Sequence, residues 1–107
     1  MDDSGACVPI ACTLSVDGLK ERIAEWRTFY RSSVTSLESS GSALRLQLKE
    51  TDGALVAAAD LSQREKKCCA FFQFAVTLGS DARWLVISVP DGAEETLSTF
   101  TEMLAAT

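Results

Sequence analysis

The order of hydrophobic periodicities along this chain predicts an α+β domain: two layers, a four-stranded antiparallel sheet made of two hairpins, and three helices. Two observations carry that prediction. Apolar residues recur at helical spacing in three stretches, and between these stretches lie two pairs of alternating segments, each pair joined by a Gly/Ser-containing turn. The length agrees, since 107 residues make one domain, 1–107, that buries roughly 65% of the surface exposed by its unfolded form. Helices gathered on one face of such a sheet give it a single core.

Residues 1–11 read as a loose arm, because Ala6-Cys7-Val8-Pro9-Ile10 is too short and too interrupted by proline for a central strand. Cys12-Thr13-Leu14 is a candidate edge strand. A helix is expected from about Asp17 to Ser32, with Leu19, Ile23, Trp26 and Tyr30 on one stripe and Ser15 or Asp17 as its N-cap. Trp26, Phe29 and Tyr30 read as core aromatics. Val34 to Glu38 and Ala43 to Lys49 flank the turn Ser39-Ser40-Gly41-Ser42, and in the second of these strands Leu44, Leu46 and Leu48 alternate with polar residues. Thr51 or Asp52 caps a second helix running to about Ala70, its inner side formed by Ala58, Leu61, Glu65, Cys68 and Cys69, with Lys66 and Lys67 facing water. Phe72, Phe74, Val76 and Leu78 then share one face of a strand, and Gly79-Ser80-Asp81-Ala82 turns it. Trp84 to Val89 returns with Leu85, Ile87 and Val89 inward. Asp91-Gly92-Ala93-Glu94 has the spacing of a capping box before a last helix striped by Leu97, Phe100, Thr101 and Leu104.

Composition excludes several functions. The net charge is −5 and the basic residues are scattered, whereas a nucleic-acid or anionic-membrane surface needs a local excess of Lys and Arg. No apolar run approaches the roughly 20 residues of a membrane helix. The chain starts Met1-Asp2-Asp3, acidic where an export signal is basic, so a reducing cytoplasm is the expected compartment and free thiols are expected over disulfides. The chain has no histidine. Neither a Ser-His-Asp or Cys-His constellation nor a histidine-ligated metal can therefore be built within it.

The chemistry concentrates in Glu65-Lys66-Lys67-Cys68-Cys69-Ala70-Phe71-Phe72-Gln73-Phe74, where the second helix runs into an aromatic strand. Glu65 lies three and four residues before the adjacent thiols, on the buried stripe. A carboxylate there costs several kcal/mol unless it is paired, hydrogen-bonded or protonated, or sits at the edge of the stripe and reaches water. Thiolates prefer soft cations such as Hg(II), Cu(I), Cd(II) or trivalent arsenic, and a third sulfur from Cys12 or Cys7 would complete a site with Cys68 and Cys69. The alternative is that these cysteines are small buried hydrophobes. A structural zinc knuckle fits poorly, since Cys7-x4-Cys12 and Cys68-Cys69 lack its spacing, and there is no Cys-x-x-Cys redox motif.

Three segments together resemble a family of small bacterial proteins, and of domains appended to MerR-type regulators, associated with mercury and related metal-resistance neighbourhoods. These are Cys12-Thr13-Leu14, Glu65-x-x-Cys68-Cys69-x-Phe71-Phe72-x-Phe74, and Trp84-Leu85 leading to Pro90-Asp91-Gly92. The resemblance spans about Cys12 to Leu104. It implies soft-metal or metalloid contact through Cys12, Cys68 and Cys69 with Glu65 nearby. The regulators' DNA-binding helix-turn-helix is absent from this chain.

Three functions are therefore weighed. The first is a thiol-based binding domain for a soft metal or metalloid ion. The second is an interaction domain with core cysteines, in which Trp84 and Val86, opposite Leu85 and Ile87 on their strand, form an apolar face covered by a second subunit. The third is cleavage of a carbon–mercury bond, in which the sulfurs hold the metal and Glu65, kept protonated by burial, delivers a proton to the departing carbanion.

Overall fold

The computed structural model describes residues 16–68 and 72–105, the side chains of 16–20 and 68 excepted. Along them run α1 (Val16–Ser33), β1 (Val34–Ser40), β2 (Ala43–Leu48), α2 (Asp52–Cys68), β3 (Gln73–Leu78), β4 (Arg83–Ser88) and α3 (Glu94–Ala105). The strands form one four-stranded antiparallel sheet, as the α+β reading expects, and its order is β1-β2-β4-β3. The arm at residues 1–11, the strand proposed at Cys12-Thr13-Leu14 and the cap proposed at Ser15 lie outside the described residues.

The strands with the cleanest alternation lie at the centre. Leu44, Leu46 and Leu48 of β2 and Leu85 and Ile87 of β4 are all buried, and Leu46 faces Leu85 while Leu44 faces Ile87 across the ladder. The residues between them are half-buried or exposed, so the helices cover one sheet face only. Each hairpin thus joins the other through its second strand, which places the two αββ units side by side in one sheet.

Local chemistry explains most element ends. Gly41 sits at φ 57 in the two-residue turn between Ser40 and Ala43, a conformation open to glycine at little cost. The Thr51 hydroxyl accepts from the Ala54 amide at 3.1 Å, so Thr51 is the N-cap of α2. Two expected caps differ from the structure. Asp17 lies inside α1, one residue past Val16. Asp91 does not cap α3: the chain turns through Pro90 to Ala93, Gly92 takes φ 95, and the Glu94 carboxylate accepts from the Gly92 amide at 2.9 Å. The Asp91–Glu94 capping box is therefore not made: α3 starts only at Glu94, and its carboxylate bonds the Gly92 amide rather than that of Asp91.

Above the sheet, α1 packs against both α2 and α3. The aromatic side chains form one chain of edge-on contacts, with ring centroids 5.8 Å apart for Trp26–Phe29, 5.1 Å for Trp26–Phe100, 5.7 Å for Phe72–Phe100 and 5.8 Å for Phe72–Phe74. Such contacts add to simple area burial. The stripe of α3 includes Met103 beside Leu97, Phe100 and Leu104, while Thr101 is half-buried and its hydroxyl donates to the Leu97 carbonyl at 2.8 Å.

The sheet's two margins depart from simple alternation. Phe74, Val76 and Leu78 do share the helix-covered face, lying opposite Ile87, Leu85 and Arg83, yet Val76 is 37% and Leu78 66% exposed. Alternation assigns a face, whereas strand order decides whether that face is covered, and β3 is an edge strand among the described residues. On the other sheet face the Arg45 guanidinium lies 4.0 Å from the Trp84 ring centroid and pairs with Glu38 at 2.7 Å. The Trp84 and Val86 face is therefore interspersed with charge and amide groups and is not a continuous apolar patch.

The contrast between centre and edge is measurable. Leu85→Ala is expected to cost about 2–5 kcal/mol through the cavity it leaves. Leu78→Ala, on the same sheet face, is expected to change stability by no more than about 0.5 kcal/mol. Urea unfolding at a concentration where the chain is monomeric checks both.

Candidate functional site

The buried side of α2 is the stripe Ala54, Ala58, Leu61 and Glu65, as its helical spacing requires. Glu65 is 5% exposed. It does not reach water from the stripe's edge, the simplest expectation for it, because α1 lies over it and supplies donors. Trp26 Nε1 donates to Glu65 Oε1 at 3.0 Å and Arg22 Nη1 donates to the same oxygen at 3.2 Å. Trp26 and Arg22 are one helical turn apart on α1, so a single face of that helix delivers both an indole N–H and a guanidinium. Charge-assisted hydrogen bonds of this kind are what keep a carboxylate inside a core.

From this buried acid a chain of ion pairs runs outward. Arg22 Nε lies 3.8 Å from Glu25, Arg64 Nη1 donates to both Glu25 oxygens at 2.9 and 3.1 Å, and Arg64 Nη2 reaches Asp60 at 2.8 Å. The Glu25 hydrogen bond, aided by Asp60, pushes the Arg64 guanidinium above its ordinary pKa against partial desolvation. Glu25, Asp60 and Arg64 line a groove of roughly 390 Å³ between α1 and α2, together with Phe29, Ala57 and Leu61. Because these charges pair with one another, the groove presents no convergent charge to a ligand.

One turn past Glu65, α2 reaches Cys68, and Cys69 follows. The ends of the connection to β3 are tied together: Lys66 Nζ donates to the Phe72 carbonyl at 2.7 Å, so this ammonium is engaged rather than simply solvated. Phe72 itself is buried in the aromatic chain. The last described turn of α2 is thus tied to α1 through Glu65 and to the start of β3 through Lys66. The side chain of Cys68, and Cys12, Cys69 and Cys7 entirely, lie outside the described residues. Among the described residues no three Cys, Asp or Glu side chains converge as a metal site. No described helix is long and apolar enough to cross a membrane.

Arg22 and Trp26 are the residues that the sequence reading left without a role here. The signal was available in part, since a buried indole needs an acceptor and a buried carboxylate needs donors. What periodicity lacks is the pairing of α1 with α2.

The pairing itself can be tested. Trp26→Phe keeps the aromatic packing and removes the donor, and is expected to destabilise the fold by about 1–3 kcal/mol in denaturant unfolding. In a Glu65→Met background the same change is expected to cost less, because the acceptor is already gone. No family model, curated protein or solved structure matches the chain.

Proposed function

We propose that the junction of α2 and β3 is a soft-cation site, at which Cys68 and Cys69, with Cys12, supply thiolates to Hg(II), Cu(I) or trivalent arsenic in a reducing cytoplasm. The observation that carries this reading is that the first of two adjacent cysteines in the sequence ends α2, one turn past Glu65, which is bound to α1, and two residues past Lys66, which is bound to the Phe72 carbonyl. Adjacent thiols diverge by about 100° inside a regular helix, and a helix end relaxes that constraint. Soft sulfur ligands select these cations over the hard ones that carboxylates and water hold. The motif resemblance to metal-resistance proteins and domains points the same way.

Glu65 takes an anchoring role in this proposal. Its Oε1 already accepts two hydrogen bonds from α1, which supports fixing the helix end over delivering a proton to a carbon–mercury bond. The cation is bound as cargo, for sequestration, delivery or sensing, and the acidic balance of the chain supports no nucleic-acid partner.

Titration with Hg(II) or Cu(I), followed by thiolate charge-transfer absorption, tests the proposal. Cys68→Ser/Cys69→Ser is expected to weaken binding by more than the roughly 10–100-fold that loss of an outer-sphere partner costs. Glu65→Gln is expected to stay within that range. Micromolar or weaker binding that the double substitution leaves unchanged would overturn the assignment.

A further inference from the structure

The two edges of the sheet are built differently. Among the described residues β1 and β3 are the outer strands. β1 carries Glu38 and shifts register by one residue between Val34 and Ser36, and both features discourage a further strand from pairing with it. β3, Gln73-Phe74-Ala75-Val76-Thr77-Leu78, has no charge, no proline and a regular register against β4. Its exposed Val76 and Leu78 stand on the helix-covered sheet face. Beside them lies a groove of roughly 350 Å³ between α2 and β3, lined by Ala59, Ser62, Gln63, Lys66, Phe74 and Val76. Ser62 Oγ in that groove is buried without a hydrogen-bond partner among the described residues.

We infer that the edge of β3 pairs antiparallel with the β3 of a second copy of this chain, continuing the sheet across a two-fold axis at Val76. Residues directly opposite across an antiparallel ladder share a face, so a self-pairing register must match even-numbered positions with even-numbered ones. Centring on Val76 sets Val76 against the partner's Val76 and Phe74 against the partner's Leu78. The partner's Leu78 then sits beside Phe74 at the mouth of the groove, so the exposed apolar side chain and the apolar recess fit each other reciprocally, as a two-fold contact requires. Charge agrees with the arrangement. Two chains of net charge −5 repel, and β3 lets them meet along an uncharged strand. The antiparallel crossing also brings Lys66, held at the Phe72 carbonyl at the start of the strand, towards the end of the partner's strand, where the partner's Asp81 follows. A contact this small lies under about 1,200 Å² in total and is expected to dissociate on the order of 10 µM.

Sedimentation velocity of the full chain from about 5 to about 500 µM brackets that constant. A thiol reductant and a chelator are kept present, so that neither a disulfide nor a bridging cation joins the copies; the outcome is then independent of the soft-cation site. The native chain is expected to pass from monomer to dimer. Val76→Lys, which sets two ammonium groups on the axis, and Leu78→Glu, at a position already exposed, are each expected to raise the dissociation constant by at least tenfold. Both should leave the unfolding midpoint of the monomer unchanged. Val86→Lys, on the opposite sheet face, is expected to dimerise as the native chain does. A native chain that stays monomeric throughout overturns the inference and leaves the edge to another occupant, such as residues 12–14 of the same chain. Dimers that survive both Val76→Lys and Leu78→Glu, or that only Val86→Lys abolishes, overturn it as well.

Discussion

The bond pair from Trp26 and Arg22 to Glu65 sets the relation between α1 and α2, and much of the molecule follows from it. An unpaired carboxylate at this depth is strongly unfavourable, so the two helices have little freedom to slide without breaking a charge-assisted contact. Trp26 serves twice. Its N–H holds Glu65, while its ring packs edge-on against Phe29 and Phe100, and Phe100 in turn meets Phe72. One polar contact and one aromatic chain therefore link all three helices to the entrance of β3.

That linkage fixes the last turn of α2 and the start of β3. Cys68 ends a helix whose penultimate turn is anchored in the core, and the strand that follows begins from a buried phenylalanine whose carbonyl holds Lys66. The ion pairs beyond Arg22, through Glu25, Arg64 and Asp60, are more exposed and contribute registration between helices more than stability.

The sheet shows the complementary lesson. Its central strands are protected on one face by helices and at both edges by neighbouring strands, while its margins differ in how they meet solvent. A charge and a register shift guard β1. β3 keeps an uncharged strand beside an apolar groove, and that asymmetry is visible only once the two strands are seen to be the outer ones among the described residues.

Local patterns in the sequence determined the order of elements, the inner faces of β2 and β4 and the stripe of α2, and narrowed the cap of α2 to Thr51 or Asp52, because these depend on neighbours a few residues away along one helix or strand. It also singled out Glu65 as a residue needing a reason. The reason itself came from tertiary structure: Arg22 and Trp26 lie about forty positions away in the chain, and helical spacing carries no information about which helices touch. The same limit explains Val76 and Leu78, whose face was legible but whose exposure depends on strand order, and Asp91, whose capping spacing was overridden by the turn at Gly92. Local interactions write themselves into sequence spacing, whereas the partners of a buried charge and the edges of a sheet are decided only when distant segments meet.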